Sequence, residues 1–128
     1  MKPKPRTLLL LVAILAFFSA GYAAGLNHFG MPKTIVHVVI IQWKPTTTAA
    51  QRQAVINGVR NMAEHIPGIL NIWLKPVRVA SLTWNYAFVI EFANQAAANR
   101  YATAPIHRAW SKLEQAARLD SLNVQVSN

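Results

Sequence analysis

The chain has no cysteine, which excludes disulfides, a thiol nucleophile and any thiolate metal site. It also excludes a lipoprotein anchor, because that modification needs a cysteine at the cleavage point. Charge is missing from residues 8–32, and acid is missing from the seven residues before them. Acidic side chains are scarce throughout, four against thirteen lysines and arginines, for a net charge of +9. Three of the thirteen, Lys2, Lys4 and Arg6, precede the uncharged stretch, so residues 33–128 carry ten basic and four acidic groups, or +6. Those ten contain no run of three, a diffuse pattern that fits solubility or weak attraction to acidic envelope polymers rather than nucleic-acid binding. Beyond the first 32 residues there is no linker, internal repeat or low-complexity segment.

What is present begins with a targeting layout. A basic start is followed by the apolar run Leu8 to Phe18 and then by Ser19, Ala20, Gly21, Ala23, Ala24 and Gly25. This is the order of a secretory signal peptide, and cleavage after Ala23 places Gly21 and Ala23 at the two positions that must be small. The alternative is an uncleaved anchor: residues 8–26 as a helix reach roughly 28 Å, close to a bilayer core. In that case the basic residues stay cytoplasmic and the domain still faces outward, the membrane being touched only through this segment. Either way the domain at residues 33–128 is expected to be exported, periplasmic or secreted in the first case and inner-membrane anchored in the second. Without disulfides such a domain must rely on its core or on a partner subunit.

With 53% apolar residues, the remainder has the material for one packed domain. Residues 34–43, TIVHVVIIQW, are rich in β-branched side chains and apolar on both faces, the pattern of a central strand. Thr46, Thr47 and Thr48 offer cap hydroxyls to a helix over residues 49–65, whose stripe is Val55, Val59, Met62 and Ile66; Pro67-Gly68 stops it. Residues 69–79 read as a second strand interrupted by Pro76, which marks an edge or a bulge. Residues 84–92 alternate strictly, placing Trp84, Tyr86, Phe88, Ile90 and Phe92 on one face. Asn94 caps a second helix through Tyr101, and Thr103-Ala104-Pro105 breaks it. The third helix is expected to bury Ile106, Ala109, Trp110, Leu113 and Ala117, and a last strand carries Leu122, Val124 and Val126. The order β-α-β-β-α-α-β predicts an α+β, ferredoxin-like antiparallel sheet of four strands with helices on one face. The other face is apolar too and a chain of this size has nothing left to cover it. The economical outcome is two sheets packed face to face in a homodimer, a barrel formed between subunits.

These residues resemble the stress-responsive dimeric A/B barrel family. The resemblance rests on an opening strand with an early histidine ending in Trp-Lys (His37 to Lys44), and on Ile66-Pro67-Gly68 after the first helix. It continues in the aromatic strand ending in Glu91-Phe92, in Tyr101 with Pro105-x-His107 and Trp110, and in a valine-rich final strand. It covers about 95 residues and implies a dimeric ferredoxin-like barrel. The departures are specific. Ala104 replaces the first histidine of the family's His-Pro-x-His. Trp84, Asn85 and Tyr86 stand where Tyr-Asp-His is common, and Leu74-Lys75-Pro76 stands where Gly-x-Asn is common.

His107 is the leading candidate for chemistry. On the first turn of the third helix, the helix dipole disfavours the imidazolium and keeps a neutral base near pH 7. Tyr101, six residues earlier, can approach it across the break. A plant polyketide cyclase of the family uses the matching pair for an intramolecular aldol cyclisation; the resemblance implies that Tyr101 holds a substrate and His107 acts as acid/base. Ligand contacts are expected from His37, Tyr86, Trp84, Phe88 and Trp110. Each has a structural alternative in which it merely packs the core. His28 and His65 read as surface. His37, His107 and a carboxylate are the only conceivable metal set, and nothing in the sequence demands one, so neither metal nor cofactor is expected. The tryptophans Trp43, Trp73, Trp84 and Trp110, with Phe88 and Phe92, outline either a filled core or a pocket for a small apolar molecule. Three readings result: a small-ligand-binding module, a cofactor-free cyclase or isomerase using Tyr101 and His107, and a purely structural dimer.

Overall fold

The β-branched run forms β1, Ile35–Trp43, and its two faces part company in the fold. Ile35, His37, Val39, Ile41 and Trp43 are buried, while the intervening Val36, Val38, Ile40 and Gln42 are half-buried. The computed structural model describes residues 12–14 and 33–127. The targeting segment proposed at residues 1–32 lies outside the described residues but for one helical stretch, Val12 to Ile14, and Lys33 is the first described residue of the domain. Among the described residues no helix is long and apolar enough to cross a membrane.

After β1, helix α1 (Ala49–His65) starts on a full capping box: Thr48 accepts from the Gln51 N–H and the Gln51 side chain accepts from the Thr48 N–H. Its buried residues are Val55, Val59 and Met62, as the 4-and-3 spacing requires. Gly68 follows at φ 94°, a conformation that favours glycine, and turns the chain into β2 (Ile69–Trp73). That strand is shorter than the expected 69–79. It ends before Pro76, which has no N–H to offer a ladder, and residues 74–85 form a connection instead. β3 (Tyr86–Phe92), α2 (Gln95–Thr103), α3 (Pro105–Ala117) and β4 (Arg118–Ser127) complete the chain.

The sheet order is β2-β3-β1-β4, with every neighbouring pair antiparallel. The architecture is the α+β, ferredoxin-like one. All three helices contribute to a single core on one sheet face, with Phe88, Ile90 and Phe92 of β3 fully buried among Val55, Val59 and Met62 of α1. The other face carries Val36, Val38 and Ile40 beside their partners Val126, Val124 and Leu122, a second apolar surface on which none of the three described helices packs. There Leu122, Val124 and Val126 are 47%, 41% and 51% exposed, and Trp73 of β2 is 47% exposed.

Helix α3 departs from the expected stripe. It buries Trp110, Glu114 and Ala117, whereas Leu113 and Ala109 face outward. Two fastenings set this rotation. The Trp110 indole N–H donates to the Val55 carbonyl at 2.9 Å, tying α3 to α1. At the other end the Lys44 N–H, the Lys44 ammonium and the Thr47 hydroxyl take the carbonyls of Ala116 and Ala117. These donors satisfy a helix C-terminus that has no basic residue of its own in the last turn.

Candidate functional site

The break between α2 and α3 builds the site. Ala104 has extended backbone, φ −62° and ψ 137°, and its N–H still bonds the Tyr101 carbonyl at 3.2 Å. Pro105 then supplies a preset φ for the first turn of α3. The chain therefore turns sharply between Tyr101 and His107, and their rings lie 4.2 Å apart, tilted by 47°. His37 comes in from β1, its ring 5.9 Å from that of Tyr101. Trp110, one turn along α3, stacks on His107 at 5.8 Å and 29°. Four of the seven expected site residues, His37, Tyr101, His107 and Trp110, thus line one cavity of about 260 Å³.

The remaining walls were not foreseen. Ser111 and Glu114 project from the same face of α3. Arg118 closes one end, its Nε 2.8 Å from Glu114 Oε2. β4 adds Ser121, Asn123 and Gln125, because the register that turns Leu122, Val124 and Val126 to the open sheet face turns these three toward the helices. The lining is accordingly more polar than a pocket for a wholly apolar molecule. Glu114 had a sequence signal: it stands at i+7 from His107 and i+4 from Trp110, a charge inside the buried stripe with Arg118 four residues on.

Burial decides the protonation states. It lowers the pKa of His37, and His107 lowers it further. It lowers the pKa of His107 as well, against a partial rise from a hydrogen bond with the Ala102 carbonyl. Both imidazoles are neutral near pH 7. For His107 the largest cause is desolvation. Burial pushes the Tyr101 phenol far above its ordinary value, and the Glu114 charge pushes the same way. The Glu114 carboxyl is raised by burial and pulled back by Arg118. Among the described residues, four buried atoms of the cavity lining have no hydrogen-bond partner: His37 Nδ1, His107 Nδ1, Glu114 Oε1 and Arg118 Nε, the last meeting Glu114 only as an ion pair. In a protein interior such atoms are costly unless something bonds them. Among the described residues no group of three or more His, Asp or Glu side chains is placed to hold a metal ion.

The other expected ligand residues fall elsewhere. Phe88 is buried in the core and packs edge-on against Trp110 at 5.9 Å. Tyr86 gives its hydroxyl proton to the Leu74 carbonyl and rests on Trp43, away from the cavity. Trp84 corrects the alternation argument. β3 begins only at Tyr86, and Trp84 sits in a cleft with Ile40 and Ala87, on the open side of the sheet. The alternation fails there because Trp84 belongs to the connection, held by its N–H to the Ser81 hydroxyl. His65 is exposed, as expected. His28 lies outside the described residues.

A ferredoxin-like sheet with helices on one face, a polar cavity at the β1/β4 edge and an uncovered apolar face on the other side defines a dimeric-barrel class of α+β domain. Residues 35–125 match the Stress responsive A/B Barrel Domain family, and the chain belongs to it. No curated relative matches the chain. Among solved structures it is similar to a dimeric ferredoxin-like protein of unknown function from Thermobifida fusca, 22% identical, covering 80% of this chain and 97% of that one with a TM-score of 0.66. It is also similar to a family protein from Mesorhizobium loti, 21% identical over 74% of this chain and 96% of that one, TM-score 0.61. A hydroxynitrile lyase from Passiflora edulis gives a TM-score of 0.70 at 14% identity, covering 76% and 94% of the two chains. At these identities the likeness speaks for the fold alone.

Proposed function

We propose that the protein is a homodimeric small-molecule-binding module of the A/B barrel family, exported behind its N-terminal segment. The observation that carries the binding reading is the cavity beside Tyr101 and His107, whose lining holds four buried polar atoms without a hydrogen-bond partner among the described residues. The dimer follows from the uncovered apolar face and agrees with the dimeric Thermobifida fusca neighbour. Its two components stay separate: the cavity opens on the helix side and the seam lies on the other.

A second reading, cofactor-free acid/base chemistry on a carbonyl compound, is supported by one observation. Tyr101 and His107 face each other at 4.2 Å, with the imidazole neutral and the phenol protonated. A neutral imidazole can take a proton while the phenol donates to a developing oxyanion. The Passiflora edulis neighbour is a lyase on the same fold, which makes such chemistry compatible with this scaffold.

Thermal-shift screening of small cyclic compounds against the wild type and His107→Ala separates the readings. Binding predicts stabilised wild type and a weakened shift in His107→Ala, with no turnover in either. Turnover abolished by His107→Ala establishes the enzyme. A screen without any hit leaves the purely structural dimer. For export, intact-mass analysis of the expressed protein is expected to show a chain beginning near Ala24; an intact Met1 in the membrane fraction indicates the anchor, and an intact Met1 in the cytosol refutes export.

A further inference from the structure

Glu114 is the most unusual group in the cavity wall. It is 4% exposed, yet only one of its oxygens has a partner, Arg118 at 2.8 Å. The other, Oε1, has none. A carboxylate removed from water normally fills its acceptor capacity, and a wall position beside Tyr101, His107 and Ser111 is where a ligand would fill it. His107 adds to the same demand. Its Nδ1 is buried in the same wall without a hydrogen-bond partner among the described residues. Two buried wall atoms, a carboxyl oxygen and an imidazole nitrogen, therefore lack partners among the described residues.

The charges around the cavity point the same way. Among the described residues Arg118 is the only lysine or arginine lining it, and its Nε is paired with Glu114 Oε2. His37 and His107 carry no charge near pH 7. An incoming anion would meet the buried carboxylate, with a single guanidinium, itself paired to that carboxylate, to balance it. An uncharged molecule with a hydroxyl or N–H would meet acceptors and ring faces from Tyr101, His107 and Trp110.

We propose that Glu114 is the specificity-determining residue of this cavity: Oε1 receives a hydroxyl or N–H donor of an uncharged ligand, and the same carboxylate turns carboxylate ligands away. Arg118 is a positioning residue that holds Oε2 and leaves Oε1 free for the ligand. This assignment rests on the reading of the cavity as a ligand site.

The test uses three probes that share a ring and differ in the head group: phenol, benzoate and anisole. Each is titrated into the full-length chain at pH 7, wild type and Glu114→Gln, following the tryptophan indole N–H signals by NMR. Wild type is expected to bind phenol at least about tenfold more tightly than benzoate or anisole, the scale of one hydrogen bond to a charged group. Glu114→Gln is expected to weaken phenol by about tenfold, to tighten benzoate, and to leave anisole unchanged. The opposite movement of phenol and benzoate is something a merely structural carboxylate would not produce. Benzoate equal to or tighter than phenol in wild type overturns the assignment, as does a variant with unchanged ranking; in both cases the cavity stands as a ligand site. Absence of binding by all three probes overturns the assignment and the ligand-site reading together. Should Glu114→Gln fail to fold, the wild-type ranking alone decides.

Discussion

His37 sits under the helices with Tyr101 and Phe92 against its ring, and burial holds its pKa below the ordinary 6.5. The sign of the consequence is fixed by linkage. As pH falls through 6.5 the unfolded chain takes up protons that the folded chain refuses, so the folded state loses stability. Glu114 opposes this. Its raised pKa means that the unfolded chain ionises first as pH climbs above the ordinary carboxyl value of 4.5, which costs stability in that direction. His37→Gln is therefore expected to flatten the loss of stability on going from pH 7 toward the lowered imidazole pKa. Chemical denaturation at a series of pH values checks it, and an unchanged slope would show that His37 titrates normally.

At the scale of elements, α1 and α3 meet through Gly58. A Cβ there would lie 2.4 Å from Trp110 Cδ1, and Trp110 is itself fixed by its bond to the Val55 carbonyl. Gly58→Ala gains about 1 kcal/mol of helix propensity. It must also displace a buried indole, an overpacking cost of about 1–3 kcal/mol. A net loss of up to about 2 kcal/mol is expected, read as a lower denaturation midpoint, together with changed signals from His107, which stacks on that indole. Stabilisation by Gly58→Ala would mean that the helices part more easily than their packing implies.

The elements were legible because each had a local cause. The bounds of α1 follow from Thr48 and from Pro67-Gly68, and Pro105 marks the start of α3. The site was legible only where short-range spacing or a single strand sets it, as with Tyr101, His107 and Trp110. Glu114 and Arg118 left only a spacing signal within α3, while the rotation that buries Glu114 is set by long-range ties to Val55 and Lys44. Trp84 was misread because alternation continues in the letters past the point where the ladder of hydrogen bonds has ended.

For the whole molecule, residues 32–128 form one compact unit whose open sheet face leaves Leu122, Val124 and Val126 exposed beside the half-buried Val36, Val38 and Ile40. Pairing two such faces removes them from water at about 25 cal/mol for each Å² of apolar surface. That unit is expected to sediment as a dimer. Val124→Asp, opposite Val38 at the middle of this patch, is expected to weaken association by at least about tenfold while the helix-side core stays intact. A well-folded wild-type monomer at working concentrations would remove the barrel from consideration.

β4 has a wider meaning than its position at the sheet edge. It follows α3 without an intervening loop, and the two sides of its pleat serve unrelated masters: amides and a hydroxyl toward the hollow, leucine and valines toward the open sheet face. The phase of that alternation is inherited from the end of α3, which Lys44 and Thr47 clasp. Losing one residue from this stretch would exchange the two sides at a stroke, greasing the hollow and wetting the seam. Cavity wall and open apolar face are thus written in alternate letters of one ribbon, and neither can be reframed without the other.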